Sequence, residues 1–330
     1  MEVHGRMPQA AAESLFTLSI VIPTYNQCEL LDRCLTSVFR FAPAGAEVIV
    51  VDDGSRDGTA AHVEAKFPAV RLIRHSRNRG FCAAANSGWK AAQGEIVELL
   101  NNDAEVTEDW TEEPLRCFLD PNLGAVAPLV KQLPFRRLID SAGDEYLSYG
   151  MARKRLEGRA SAEQHLVPCE VFSASASSAF YRREAIERVD GFPERFGAYF
   201  DDVDLGFRLR LAGYHCLFVP GSVVYHWVSQ SHSHSTRRLL QQVAANSERL
   251  FWINLPAQRL ALMVGPHLAY LLALMVYKGL KGEFGPWFSG KCSLLTEIPS
   301  LLRSRHWSQS LGKRAPEVCK NQSIRHDLSI

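Results

Sequence analysis

The sequence has almost no net charge: 37 Lys and Arg face 36 Asp and Glu, a formal +1. Such a balance lacks the broad basic field of nucleic-acid-binding chains, so no nucleic-acid partner is expected. Cysteine pairing is missing as well. Cys28, Cys34, Cys82, Cys117, Cys169, Cys216, Cys292 and Cys319 form no CxxC pair and no repeated zinc spacing. Scattered through apolar contexts, they read as buried free thiols suited to a reducing cytosol. The first fourteen residues hold no apolar h-region, so no secretory leader is expected. No GxGxxG follows the first apolar run, which argues against a nicotinamide-dinucleotide fold. There is no internal repeat, and the only low-complexity stretch is a Ser/His-rich loop at 229–235.

What is present is a globular composition, 46% hydrophobic and 22% charged over 330 residues. That is enough for one large α/β domain with an appendage, or for two domains. Apolar runs and helical spacings alternate from Leu18 to Leu100. Strands are expected at 18–23, 47–51, 70–73 and 95–100, with helices at 29–40, from 55 toward 66, and at 79–92. Short connections between them predict a mostly parallel sheet with right-handed crossovers. Beyond Asp103 the spacing predicts a helix over 109–119 and a strand at 125–128. It then predicts a mixed, irregular or antiparallel stretch over 131–170 and one strand over 170–181. A short helix at 184–189, a stronger one at 202–211 stopped by Gly213, and a strand at 216–219 follow.

Three acidic clusters close apolar runs: Asp52-Asp53, Asn102-Asp103, and Asp201-Asp202-Val203-Asp204. Carboxylates at strand ends lie where ligands of α/β proteins bind. Several together suit a hard divalent cation and a nucleotide-linked substrate. Each cluster also has a plainer reading. Asp53-Gly54-Ser55 is turn chemistry with a Ser N-cap, Asp103 is a helix cap, and Asp201-Asp202 is a favourable charge at a helix N-terminus. Trp89 and Trp110 read as core.

Taken in order, these blocks resemble a family. Val21-Ile22-Pro23-Thr24-Tyr25-Asn26, Val50-Val51-Asp52-Asp53-Gly54-Ser55, Asn78-Arg79-Gly80-Phe81, Leu100-Asn101-Asn102-Asp103 and Phe200-Asp201-Asp202-Val203-Asp204 are similar to family 2 glycosyltransferases of GT-A fold. The resemblance spans roughly residues 17–230 and is nearest the rhamnosyltransferase-like branch that builds bacterial cell-surface glycans. It implies a GT-A (Rossmann-like) α/β domain over 17–235, after a tail at 1–16 and before a helical, membrane-associating region at 236–330. It implies that Pro23, Tyr25, Asp52 or Asp53, Asn78, Arg79, Gly80 and Asn102 form the nucleotide pocket. Asp103 matches the last acid of the family's DXD motif, whose first acid is Asn101 here. With His226 it would hold Mg²⁺ or Mn²⁺. Asp202 matches the catalytic base, its pKa expected to be raised by the like charges of Asp201 and Asp204, and the mechanism implied is a single inverting displacement. Ser175, Ala176 and Trp227 would face the acceptor. His232 and His234 lie in a loop that would fold over the donor.

The implied function is sugar transfer from a nucleotide-diphosphate donor, dTDP-rhamnose by branch resemblance, to a lipid-linked or polysaccharide acceptor. The implied location is the cytoplasmic face of the membrane. A processive synthase of the same family would carry a QxxRW motif and several membrane spans, and neither is present. The remaining alternative is an inactive sugar-nucleotide-binding or scaffold protein, which Asn101 favours and Asp103, Asp202 and His226 oppose. Residues 260–280 are nearly all apolar, broken by Gly265-Pro266-His267. They fit a bilayer span, a buried hairpin or an interfacial helix. The excess of Lys and Arg after Lys278 suits an anionic membrane surface or a merely solvated tail.

Overall fold

The computed structural model describes residues 15–160, 166–228 and 237–314. The loop at 229–235 with His232 and His234, most of the N-terminal tail and the end of the basic tail lie outside the described residues. The chain runs β1 (Leu18–Thr24), α1 (Cys28–Phe41), β2 (Glu47–Asp52), α2 (Thr59–Lys66), β3 (Arg71–Arg74), α3 (Phe81–Ala91) and β4 (Ile96–Leu100). It continues with β5 (Ala104–Val106), α4 (Glu112–Cys117), β6 (Leu123–Gln132), β7 (Ile139–Ser141), β8 (Asp144–Leu147), β9 (Met151–Lys154), β10 (Cys169–Val171) and β11 (Ser178–Arg182). Then come α5 (Arg183–Arg188), α6 (Asp201–Leu211), β12 (His215–His226), α7 (Arg237–Asn254), α8 (Ala257–Leu280), α9 (Phe284–Ser293) and α10 (Ile298–Ser310).

Ten strands form one mixed sheet in the order β10-β12-β6-β11-β4-β1-β2-β3, with β5 beside β12 and β7 beside β6. The expected α/β layering is present. β3, β2, β1 and β4 are parallel, while β11 pairs antiparallel with β4 and β6. Both faces of the sheet are covered. Period-two alternation sends Ile20 and Ile22 toward Leu31 and Leu35 of α1, and Val21 toward Cys82 and Ala85 of α3. The β8–β9 hairpin stands apart as a two-stranded sheet.

Three expected elements change, and the antiparallel option for 131–170 holds. The single strand over 170–181 is two, because β10 pairs with β12 and β11 with β4. The Ser-rich turn between them follows Ser173, whose Oγ donates to Asp144 Oδ2 at 2.8 Å. The strand at 216–219 runs on to His226, with a register shift between Val219 and Val223 that absorbs Pro220-Gly221. The helix over 109–119 shrinks to the six residues of α4, since Asp109 is left-handed at φ 59°. Within 131–170 the chain is antiparallel, as β7 and the β8–β9 hairpin.

The C-terminal helices dock on the sheet domain through buried polar contacts. Asn246 Nδ2 of α7 donates to the carbonyls of Phe196, Ala198 and Tyr199, each at 2.9 Å, and Asn254 Nδ2 donates to Asp204 Oδ1 at 2.6 Å. Among the described residues α8 is the one helix long and apolar enough to cross a membrane. Its one buried residue is His267, stacked on Phe251 with ring centroids 3.7 Å apart, and Leu262, Leu268, Leu272 and Val276 are exposed.

Candidate active site

A cleft of about 490 Å³ opens where β1, β2 and β4 end. It is lined by Pro23, Tyr25, Asp53, Asn78, Gly80, Asn102, Asp103, Ser175, Ala176, Asp201, Asp202 and His226, all named from sequence. Asp52, Arg79 and Trp227 do not line it, and each has a physical reason.

At the end of β2 adjacent side chains point to opposite sides. Asp52 turns away and accepts the Ser55 amide at 2.9 Å, closing the turn the plainer reading expects. Gly54 makes that turn possible, with φ of 82° and a would-be Cβ 2.7 Å from the Arg77 carbonyl carbon. Asp53 turns into the cleft. Its carboxylate accepts the amides of Arg79 (2.9 Å) and Gly80 (2.8 Å), and His75 Nδ1 lies 2.7 Å from its Oδ1. Asp53 therefore shapes the Asn78-Arg79-Gly80 loop against the cleft. The Arg79 guanidinium leaves the cleft to pair with Glu194 at 3.5 Å. The loops after β1 and β2 are braced together, since Asn26 Oδ1 accepts the Arg56 amide at 2.8 Å. Half-exposed Tyr25 stands at the rim.

At the end of β4, Asn102 Nδ2 donates to Thr24 Oγ1 at 2.9 Å, and Asp103 is presented to His226 of β12. His226 Nε2 lies 3.1 Å from Asp103 Oδ1, and its Nδ1 lies 3.1 Å from Asp140 Oδ2. Burial acts to lower the imidazole pKa, but the two carboxylates outweigh it and lift it to about 9. Lys154 Nζ donates to the same Asp140 oxygen at 2.8 Å. Burial would raise Asp140, yet His226 and Lys154 hold it down to about 2. Asp140, Asp144 and Lys154 escape sequence reasoning because they lie in no motif and meet only through the β7 and β8–β9 pairing.

Trp227 is not beside the cleft, although it follows His226. Its Nε1 donates to Glu105 at 2.9 Å, and the Arg33 guanidinium sits over its ring. His226 and Val228 line the cleft, while Trp227 between them faces the other side.

The third acidic cluster opens α6. Asp202 Oδ2 accepts the Ala176 amide at 3.1 Å and its Oδ1 accepts the Val203 amide at 2.8 Å. Ser175 and Ala176 thus bring backbone to the carboxylate. Burial raises the Asp202 pKa, against the pull of those amides and of Lys154. Asp201 is raised further, first by burial and then by Asp202. Like-charge repulsion thus falls on Asp201, whereas the expected base Asp202 is raised by burial rather than by its neighbour. Asp204 is structural: it pairs with Arg208 Nε at 2.7 Å, deep under α6. Trp89 and Trp110 are core, as expected, their indoles donating to Asn86 and to Glu98.

The sequence profile of "Glycosyl transferase family 2" matches residues 19–190, and that of "Glycosyl transferase family group 2" matches residues 152–299. The N-acetylglucosaminyl-diphospho-decaprenol L-rhamnosyltransferase of Mycobacterium tuberculosis is 29% identical over 256 residues, covering 67% of this chain and 78% of the relative. The pre-mycofactocin glycosyltransferase of the same species is 30% identical over 230 residues, covering 68% of this chain and 45% of the relative. Among solved structures, GalNAc-T7 with UDP, GalNAc and Mn²⁺ superposes with a TM-score of 0.58 at 18% identity, over 73% of this chain and 48% of that one. The mannosyltransferase PcManGT of Pyrobaculum calidifontis, in complex with GDP-Man and Mn²⁺, gives 0.53 at 20% identity, over 93% and 78%. Those likenesses set the fold among the GT-A glycosyltransferases. The chain belongs to glycosyl transferase family 2, as a rhamnosyltransferase-like enzyme of the transferase class EC 2.4.

Proposed function

We propose that the cleft binds a nucleotide-diphosphate sugar and passes the sugar, with inversion, to a hydroxyl of a lipid-linked or polysaccharide glycan. The observation that carries this reading is the convergence of Asp53, Asp103, His226 and Asp202 on one cleft from four separate elements. The chemistry of the donor set fits a hard divalent cation, Mg²⁺ or Mn²⁺. Asp103 Oδ1 and His226 Nε2 are 3.1 Å apart. A cation held there by Asp103 and His226 would take the place of the Nε2 proton that now faces the carboxylate. Among the described residues there is no cluster of three or more acidic, His or Cys ligands. A cation would therefore take two protein ligands and complete its shell with water and diphosphate oxygens, the manner usual for Mg²⁺. It would supply Lewis-acid stabilisation of the departing nucleoside diphosphate.

The chain's own residues supply the rest. Tyr25 and Pro23 form the rim against which a base can lie. The backbone at Asn78-Gly80, fixed by Asp53, approaches the nucleotide. Asp202, fixed by two amides and raised by burial, accepts the acceptor hydroxyl proton as that oxygen attacks the anomeric carbon. Asp201 stands beside it, its own pKa raised further by burial and by Asp202. The domain limits 17–235 and 236–330 belong to this reading. The rhamnosyltransferase relative, by its name, supports rhamnose as the sugar and a polyprenol-diphosphate-linked sugar as acceptor, and the family resemblance adds dTDP as the carrier. The exposed apolar face of α8 would lie on or in the cytoplasmic membrane and hold the cleft near such an acceptor.

The test is Asp202→Asn, assayed with dTDP-rhamnose and a polyprenol-diphosphate-linked N-acetylglucosamine. Turnover should fall by about two orders of magnitude or more while nucleotide still binds. A variant that turns over like the wild type would remove Asp202 from the base role.

A further inference from the structure

The proposed donor cleft has an unfavourable charge. Acidic side chains, Asp53 and Asp103 among them, line it, and a nucleoside diphosphate brings more negative charge. Among the described residues that line it, one is a lysine or arginine: Lys154. It is the last residue of β9, directly opposite Asp144 of β8. The hairpin is pinned at this end, where the Arg155 amide donates to the Gly143 carbonyl at 2.8 Å and the Asp144 amide donates to the Ser173 carbonyl at 2.9 Å. Lys154 is thus presented by a strand end rather than by a free loop.

Its ammonium is held as well as presented. Fully buried Asp140 takes a hydrogen bond from Lys154 at 2.8 Å, and its same oxygen faces His226 at 3.1 Å. Asp103, His226, Asp140 and Lys154 form a row of alternating charge that runs from the proposed cation ligands to the cleft wall. One N–H of the ammonium is used on Asp140, which leaves two for a ligand. Its side chain is 31% exposed, so a ligand can reach it. Burial works against the charged amine, but Asp140 and Asp144 outweigh it and keep the pKa raised. Asn101, in the position where the family has an acid, leaves a cation here with less negative charge to hold it.

We propose that Lys154 binds the diphosphate of the donor, so that the leaving group is held by a fixed lysine as well as by a divalent cation. This rests on the donor-cleft reading above. An ammonium placed as a point charge is a common phosphate partner. Diphosphate recognition then survives removal of the metal, weakened but not abolished.

The experiment is calorimetric titration of the full chain with UDP, dTDP and GDP and their monophosphates, in Mn²⁺ and in EDTA. In EDTA the wild type should prefer the bound diphosphate over its monophosphate by about tenfold or more, the size of one charge-assisted hydrogen bond. Lys154→Met should lose that preference and Lys154→Arg should keep part of it, with monophosphate affinity little changed. A Lys154→Met protein that unfolds at the wild-type temperature and keeps the preference would overturn the assignment. If that variant does not fold, the wild type decides alone, since no diphosphate preference in EDTA overturns the proposal. Failure of the wild type to bind any of the three nucleotides even with Mn²⁺ would instead overturn the donor-cleft reading beneath it.

Discussion

Glu98 offers a prediction whose size follows from the structure. It sits in the middle of β4, fully buried between β1 and β11, with Trp110 Nε1 donating to both carboxylate oxygens at 3.1 Å and Ser178 Oγ donating to Oε1 at 3.1 Å. Burial raises its pKa from 4.5 to about 8, although both donors pull the other way. A raised acid is protonated in the folded chain and ionised in the unfolded chain between those two values. Its stabilising contribution is therefore complete below pH 4.5 and is lost as pH rises toward 8. A tenfold difference in proton affinity between the folded and unfolded chains is worth about 1.4 kcal/mol, so the full swing is about 5 kcal/mol. Glu98→Gln keeps the shape and cannot ionise. Urea unfolding of both proteins across the range should show the difference growing in favour of the variant as pH rises, by several kcal/mol. All other titrations are common to the two proteins and cancel. A difference that stays constant with pH would refute the reasoning.

Two further outcomes are expected. Lys291 Nζ donates to Glu248 Oε1 at 2.6 Å, and His267 Nε2 faces Glu248 Oε2 at 3.0 Å. Burial would raise Glu248, but these partners hold it near 2, so its contribution is present above pH 4.5 and fades as pH falls toward 2. Lys291→Met should cost about 3–5 kcal/mol at neutral pH by urea unfolding, and less in acid, because a buried charge loses one partner. A cost independent of pH would contradict this. In flotation with anionic liposomes the full chain should rise with the lipid, and replacing Leu268, Leu272 and Val276 by Ser should leave it at the bottom. A wild-type chain that stays unbound would remove the membrane from the account.

The first half of the fold is legible because its information is local. Apolar runs and helical spacings from Leu18 to Leu100 are read within each segment, and β1 to β4 form where they are expected even though β4 buries between distant β1 and β11. The second half is less so. Whether 170–181 is one strand or two depends on β12 and β4, which no property of those residues displays. The site divides in the same way. Asp103, His226 and Asp202 carry motifs and meet as expected. Asp52 and Trp227 fall outside the cleft because adjacency in sequence is not adjacency in space along an alternating strand. Lys154, Asp140 and Asp144 are invisible in the sequence, since isolated charges in an irregular stretch acquire meaning only when the β8–β9 hairpin brings Lys154 to the cleft and onto buried Asp140 of β7.

The central claim is that this cleft holds a nucleoside diphosphate on a cation bound by Asp103 and His226. Calorimetric titration of the wild type and of Asp103→Asn with UDP, dTDP and GDP in Mn²⁺ tests it most directly. One nucleotide should bind to the wild type, and Asp103→Asn should lose most of the Mn²⁺-dependent part of that affinity. A folded wild type that binds none of the three, or an Asp103→Asn protein that binds as tightly as the wild type, would contradict the account.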